Sequence, residues 1–430
     1  WPMRGPGQNQ AARAVEPLID RAAAELGIDR LEIRKLNSPT DGDPAGADQS
    51  PLTSAHLGEA YQMAADAIDY ESLKSMNGRR EGSVVHGVGL GSASHASGYV
   101  GFDGLIVIHT DGTVEVRQGA GNLGTESYAA VARLAAETLK VPWEDVQVTW
   151  GRSDKAAFTL GQFSSNTTFT TGLSNVRAAE TAVQYLKEIA ANEYGGSPDD
   201  YEVADGVVTN GEGDTLTLGE AAQVAVELGG KYTGEEVPQE YQESLIPLTL
   251  GAAADVYGQA LVAFGKTGGD DLGGFVDSFN AAVAHVTIDL ETGKVAVEEL
   301  ANYGDSGTIV HPDSYTAQIE GGAVQGIGYA LTEHMRFDQE TGIPVNADWY
   351  KNKPPSIMDF TRAPLQVGGV DEPDPYGPHG AKGVGEPPLG AAASAVVSAI
   401  EAGLGTTFTK HPITASDVLD KIEAGETEVR

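Results

Sequence analysis

The sequence has 430 residues, with 62 acidic against 27 basic side chains, a formal net charge of −35 and no cysteine. That charge excludes a surface built for nucleic acid or anionic lipid, because both repel a strongly acidic protein. The missing thiols exclude disulfides, cysteine-ligated zinc and a thiolate nucleophile, and they exclude an ordinary iron–sulfur cluster held by this chain. Apolar residues make up 40%, with 55 glycines and 21 prolines, as expected of a globular fold with many tight turns. No continuous apolar run reaches the about 18 residues of a membrane-spanning helix. No leader pattern is read, and the compartment stays open between cytoplasmic and periplasmic.

Residues 8–26 read as a helix with Ala12, Val15, Ile19, Ala22 and Leu26 roughly on one face. Pro17 is expected to disturb its start and Gly27 to stop it. A short helix follows over 29–36, then a polar loop over 38–52 and a helical stretch over 56–75. Residues 77–82 read as a linker. Asp41, Asp43 and Asp48 hint at a cation site but lack the spacing and closing glutamate of an EF-hand loop.

From residue 83 the pattern changes to strands. Residues 104–119 read as a hairpin turning at Asp111-Gly112, followed by a glycine loop over 119–124 and a helix over 127–139. Further helices are expected at 172–194 and 218–230, around a small hairpin region at 201–217, and 231–274 reads as irregular. A second hairpin over 284–300, a glycine-containing loop at 304–307 and a helix over 314–333 repeat the order. The repetition reads as a structural duplication, with related units at 83–195 and 275–430 joined by a connecting region at 196–274. The fold class is α+β.

The chemistry-bearing stretch is Ala381-Lys382-Gly383-Val384-Gly385-Glu386-Pro387-Pro388-Leu389-Gly390. Glycines let a backbone approach a ligand closely, and prolines stiffen the turn. A lone carboxylate on such a loop, just ahead of an apolar helix, suits a general base. It equally suits a helix-start residue that favours the helix dipole. The pattern alone leaves both readings open.

The segment GVGEPPL and the Ala-rich helix after it resemble the active-site glutamate loop of the xanthine dehydrogenase and aldehyde oxidoreductase (molybdenum hydroxylase) family. Other stretches resemble that family's segments in family order. Met3-Arg4-Gly5-Pro6-Gly7 with Gln10, Glu16 and Asp20 is similar to its arginine–glycine cofactor segment. Residues 119–137 are similar to its pterin-gripping glycine loop and helix. Gln162-Phe163-Ser164-Ser165-Asn166-Thr167-Thr168 is similar to a small-polar loop on the phosphate side. Asp305-Ser306-Gly307, His311-Pro312, Gln318-Ile319-Glu320-Gly321-Gly322 and Gln325-Gly326 are similar to its last pterin segment. The resemblance covers nearly the whole chain.

The resemblance implies the C-terminal part of a molybdopterin-binding large subunit, with 1–80 ending the first molybdopterin-binding domain and 81–430 forming the second. It implies Glu386 as the catalytic base. Met3, Arg4, Gly124, Thr125, Ser164, Ser165, Asn166, Thr167, Gln318 and Gly385 would bind the cofactor, and His95 and Tyr99, in the stretch 91–99, would line the substrate pocket. The cofactor would be molybdopterin, plain or as the cytosine dinucleotide, whose dithiolene and not a protein side chain holds molybdenum. The reaction would be hydroxylation of an aldehyde or aromatic N-heterocycle with water as oxygen source. A [2Fe–2S] cluster and FAD or haem would sit on partner chains: an iron–sulfur subunit, an FAD or cytochrome subunit, and a chain carrying the N-terminal half of the molybdopterin subunit.

Each segment has a physical rationale in that role. Glycine-loop amides and helix N-termini bind anionic groups, and Arg forks onto oxygens. One departure is Thr125, which stands where the family often has a glutamine able to bond a metal oxo group. Two other readings use the same sequence: a non-catalytic scaffold of the same fold, and an acidic cation- or solute-binding protein.

Overall fold

The computed structural model describes residues 3–98, 101–268, 272–359 and 365–429. In chain order, helices α1 (Gln8–Leu26), α2 (Arg30–Leu36), α3 (Leu57–Ala67) and α4 (Tyr70–Leu73) surround a two-residue strand pair, β1 (Pro44–Ala45) and β2 (Ser50–Pro51). Strands β3 (Arg80–Glu81), β4 (Val84–Ala96), β5 (Asp103–His109) and β6 (Val114–Arg117) lead to α5 (Ser127–Leu139), β7 (Val146–Thr149) and α6 (Gly172–Tyr194). Then come β8 (Tyr201–Ala204), β9 (Val207–Asn210), β10 (Thr215–Thr217), α7 (Leu218–Leu228), α8 (Gln239–Ser244), α9 (Pro247–Ala252) and β11 (Ala260–Lys266). The chain continues through β12 (Asp277–Asp289), β13 (Val295–Asp305), α10 (Pro312–Leu331), β14 (Gln366–Val370), α11 (Pro387–Leu404) and α12 (Ala415–Glu423).

Two compact units form. The first gathers Trp1–Ala96, Gly274–Glu372 and Val384–Arg430, and the second Ser97–Gly273 and Pro373–Gly383. This differs from a division at 83–195 and 275–430. The physical reason is β4, which pairs antiparallel with β12 along its whole length, Val84 opposite Asp289 and Ala96 opposite Asp277. Thirteen residues expected to open one unit therefore complete the sheet of the other.

The sheet of the first unit runs β14-β13-β12-β4-β3. Side chains alternate across a strand, and β4 uses the alternation unusually. Val88 and Leu90 join the core under α3, with Leu57, Ala60, Tyr61 and Ala64. The opposite face carries Gly87, Gly89 and Gly91, and α11 lies directly on it. A Cβ on Gly89 would stand 2.1 Å from the Ala399 nitrogen, and one on Gly91 2.5 Å from the Ala395 nitrogen. Backbone-to-backbone approach of this kind leaves no room for any side chain. α10 meets the same helix through Gly322 and Gly326, whose Cβ atoms would clash with Pro388 and Ala392. By length and composition α11 could cross a membrane, but 94% of it is buried in the protein.

α1 runs unbroken through Pro17, which is buried. The residues on either side explain why the helix tolerates it. Glu16 and Asp20 are buried and both pair with Arg34 of α2, at 2.6 and 2.8 Å. Burial opposes the Arg34 charge, but the two carboxylates outweigh it and hold its pKa above the ordinary value. Glu16 also accepts hydrogen bonds from the Ser92 amide (2.8 Å) and hydroxyl (2.6 Å) on β4. Ser398 of α11 donates to Asp20. One buried ionic cluster thus ties α1, α2, β4 and α11 together.

The second unit holds the sheet β11-β5-β6-β7 and a smaller one, β10-β9-β8. β11 lies in the stretch expected to be irregular. It pairs with all of β5, Ala260 opposite His109 and Lys266 opposite Asp103, and Ala260 to Phe264 are buried. The run Ala-Leu-Val-Ala-Phe is a fully buried strand, which carries no alternation to detect.

Candidate active site and cofactor segments

Glu386 is the residue that precedes α11, with Pro387 and Pro388 filling the first turn. Proline has no N–H, so Pro388 removes one of the two amides that a capping side chain at Glu386 would use. The Glu386 carboxylate accordingly caps nothing in its own helix. Its Oε1 accepts a hydrogen bond from the Gly5 amide at 3.1 Å, and its Oε2 lies 3.2 Å from His95 Nδ1. The side chain is 14% exposed, so it is largely shielded yet still reachable.

Arg4 anchors the same loop. Its Nε donates to the Gly385 carbonyl, Nη2 to the Gln318 carbonyl at 2.9 Å and Nη1 to Gln325 Oε1 at 3.1 Å. Burial pushes the guanidinium pKa down to about 10, and the Glu386 carboxylate pulls the other way. Asn9 Nδ2 donates to the Arg4 carbonyl at 2.9 Å and to the Glu386 carbonyl at 3.4 Å. Asn302 of β13 donates to the Pro388 carbonyl at 2.9 Å. Arg4, His95, Gln318, Gly385 and Glu386 thus come together in the first unit. Met3 is 44% exposed. Asn9 and Asn302 were not singled out from sequence, and Gly5 only as part of the arginine–glycine segment. Asn9 sits beside the Arg-Gly segment, which was a usable signal, whereas a lone Asn in a strand offers none.

In the second unit, Gly124 has φ +85, and its amide donates to Asn122 Oδ1 at 2.8 Å. The Thr125 amide donates to the same oxygen at 3.1 Å. Asn122 therefore occupies two donors that an anion would use. Thr125 Oγ1 lies 2.7 Å from Ser127 Oγ, and Gln162 Nε2 donates to both hydroxyls at 2.6 Å. Ser164 and Ser165 are both left-handed, at φ +51 and +45, a conformation uncommon outside glycine. Asn166 follows, fully buried, and neither atom of its amide has a hydrogen-bond partner among the described residues. The hydroxyl of Thr167, which opens a π-type turn over Thr167–Thr171, has none either. Buried polar groups are rarely left unsatisfied, and π-type turns concentrate at functional sites. Tyr99 lies outside the described residues.

Taken unit by unit, the second offers buried amide and hydroxyl atoms without a partner among the described residues, and the first an Arg–Gln pair beside a carboxylate; either set has donors that suit an anionic ligand. No group of three or more His, Asp or Glu side chains able to hold a metal ion is found among the described residues.

A molybdopterin cofactor-binding domain family matches residues 63–361, and a second family of the same description matches residues 2–38. The chain belongs to the molybdopterin cofactor-binding domain family. It is 31% identical over 426 residues to the aldehyde oxidoreductase molybdenum-binding subunit of Escherichia coli (strain K12), covering 98% of this chain and 52% of that protein. It is 28% identical over 421 residues to a putative xanthine dehydrogenase molybdenum-binding subunit of the same organism, covering 96% and 52%. Among solved structures it resembles the CO dehydrogenase of Oligotropha carboxidovorans, with TM-score 0.81 and 21% identity over 97% of this chain and 52% of that one. The likeness supports the α+β fold. The chain spans about half the length of the relatives it matches.

Proposed function

We propose that this chain is the catalytic-base half of a molybdenum hydroxylase subunit that oxidises an aldehyde or an aromatic N-heterocycle. The observation that carries the proposal is the Glu386 carboxylate, turned away from its own helix and held by the Gly5 amide and His95. A carboxylate held this way accepts a proton without first having to reorient. Arg4 fixes the loop on which it stands, and Arg4 with Gln318 offers a fork and an amide to a pterin edge. Ser164, Ser165, Asn166 and Thr167 offer hydroxyl and amide groups to its phosphate side. Asn122 would release the Gly124 and Thr125 amides, or leave them internally bonded while the hydroxyls bind.

When bound, molybdopterin supplies the redox centre and the activated oxygen. The chain orients, shields and takes up the proton. The two substrate classes rest on the aldehyde and xanthine relatives named above. With no cysteine here, a [2Fe–2S] cluster belongs to an iron–sulfur subunit, and FAD or haem to a further one. The other half of the molybdopterin-binding subunit is supplied by additional polypeptide, and the cofactor carries either a plain pterin or its cytosine dinucleotide.

The test is elemental and nucleotide analysis of the native complex, followed by turnover of an aldehyde and N-heterocycle panel. Molybdenum near one per complex with turnover of one class is expected. A complex free of molybdenum, or active as this chain alone, overturns the proposal.

A further inference from the structure

The ring of His95 is buried on β4 and meets Glu386 through one nitrogen. Nδ1 lies 3.2 Å from Glu386 Oε2 and 3.1 Å from the Ala96 carbonyl oxygen. A carbonyl oxygen can only accept, and so can an ionised carboxylate. Nδ1 must then carry the hydrogen for either contact to be a bond. In the neutral ring that fixes the Nδ1–H tautomer and leaves Nε2 as the acceptor nitrogen.

From this geometry we infer that His95 is a positioning residue for Glu386, an inference that rests on Glu386 being the base. Oε1 is held by the Gly5 amide and Oε2 by the imidazole. Each oxygen thus has a donor from a different element, Gly5 ahead of α1 and His95 on β4. Two fixed donors on its two oxygens restrict the rotamers open to the carboxylate. The support behind β4 is rigid. Three residues before His95, Ser92 is bonded twice to Glu16, and Glu16 belongs to the buried cluster with Arg34. The imidazole is thereby fixed relative to the helix that carries Glu386, whose Ser398 joins the same cluster through Asp20.

An asparagine amide nitrogen falls near the place of an imidazole Nδ1, whereas a glutamine amide nitrogen falls near that of Nε2. His95→Ala, His95→Asn and His95→Gln are compared with Glu386→Gln in the native complex, with molybdenum content measured on each. Positioning predicts that His95→Ala lowers kcat by about tenfold or more with KM little changed. It further predicts that His95→Asn recovers most of the loss and that His95→Gln does not. A rise in KM at constant kcat makes His95 a substrate contact and overturns the inference, as does an Asn variant no better than Ala. If Glu386→Gln is impaired while His95→Ala is not, only this inference fails. If Glu386→Gln keeps full turnover, the base assignment fails and takes it along. A second measurement needs no turnover and no variant that might misfold. Ring-nitrogen shifts of the 15N-histidine-labelled full chain at about pH 8, where free imidazole is neutral, should show His95 with hydrogen on Nδ1. An Nε2–H tautomer overturns the inference.

Discussion

Arg4 Nε donates to the carbonyl oxygen of Gly385, 381 residues further along the chain. The same guanidinium reaches Gln318 and Gln325, so one side chain closes the first helix segment onto α10 and the glutamate loop. A lysine keeps the charge but not the planar fork. Arg4→Lys should therefore loosen the loop, costing about 2 kcal/mol on the scale of hydrogen bonds to charged groups. Thermal melting of the full chain and pterin content of the complex should both fall. An unchanged melt and full pterin would show that the fork holds nothing.

Glu386→Gln preserves shape and removes the proposed base. General-base assistance is typically worth about 10²–10⁴ in rate. Turnover should fall at least about 100-fold, roughly 2.7 kcal/mol of transition-state stabilisation, while molybdenum content and melting stay near those of the parent. Stopped-flow reduction by substrate measures this directly, and unchanged turnover would place the base elsewhere.

The Arg34 cluster is a stability element and lies away from the chemistry. Removing one partner of a buried ion pair strands the remaining charges and costs about 3–5 kcal/mol. Arg34→Met should reduce soluble yield and melting sharply. Replacing Arg34, Glu16 and Asp20 together with apolar residues should recover much of the loss, because no buried charge is then left alone. If the single variant melts like the parent, the cluster is not the tie described.

Glu401, near the end of α11, accepts the Phe408 amide at 2.7 Å. Burial raises its pKa from 4.5 to about 7. A carboxyl group whose folded value is raised contributes stability fully present below pH 4.5 and lost as pH rises through about 7. Glu401→Gln keeps an acceptor for Phe408 and removes the titration. Its melting should match the parent near pH 4.5 and exceed it above pH 7. Parallel curves across that window would contradict the shift.

Gly89→Ala tests the close approach of β4 and α11. The added methyl would meet the Ala399 backbone at 2.1 Å, and backbone cannot swing aside as a side chain can. The cost should reach or exceed about 3 kcal/mol, the upper range of overpacking. Loss of soluble full-length chain is the expected readout. Gly211→Ala, where a Cβ meets nothing within 4 Å and φ is not positive, is the control for handling.

Much of the local structure was legible because local rules decided it. α5 and α6 occupy the residues their apolar periodicity and flanking glycines mark. The hairpin at Asp111-Gly112 follows from its turn chemistry. β11 was not legible, since a strand buried on both faces has no alternation, and only its pairing with β5 gives it away. Pro17 misleads when read alone, because the charges that hold α1 together around it are paired with Arg34 on another helix. At the site, the pattern of residues 383–390 marks Glu386 but leaves base and cap equal. What removes the cap reading is long-range: the carboxylate turns to the Gly5 amide and the His95 ring, which arrive from elements 381 and 291 residues away in sequence, and the base reading is the one proposed above.

The close packing of α11 also sets a timescale. Amides shielded by strand backbone on one side and a helix on another exchange with solvent only through the largest unfolding events of a protein. The amides of Ala395 and Ala399, pressed against Gly91 and Gly89, should rank among the slowest in hydrogen exchange. Glu386 stands at the head of that helix, so small local fluctuations do not carry it in and out of position. On the proposed function, the carboxylate would then serve as a stationary reference point against which a substrate is placed.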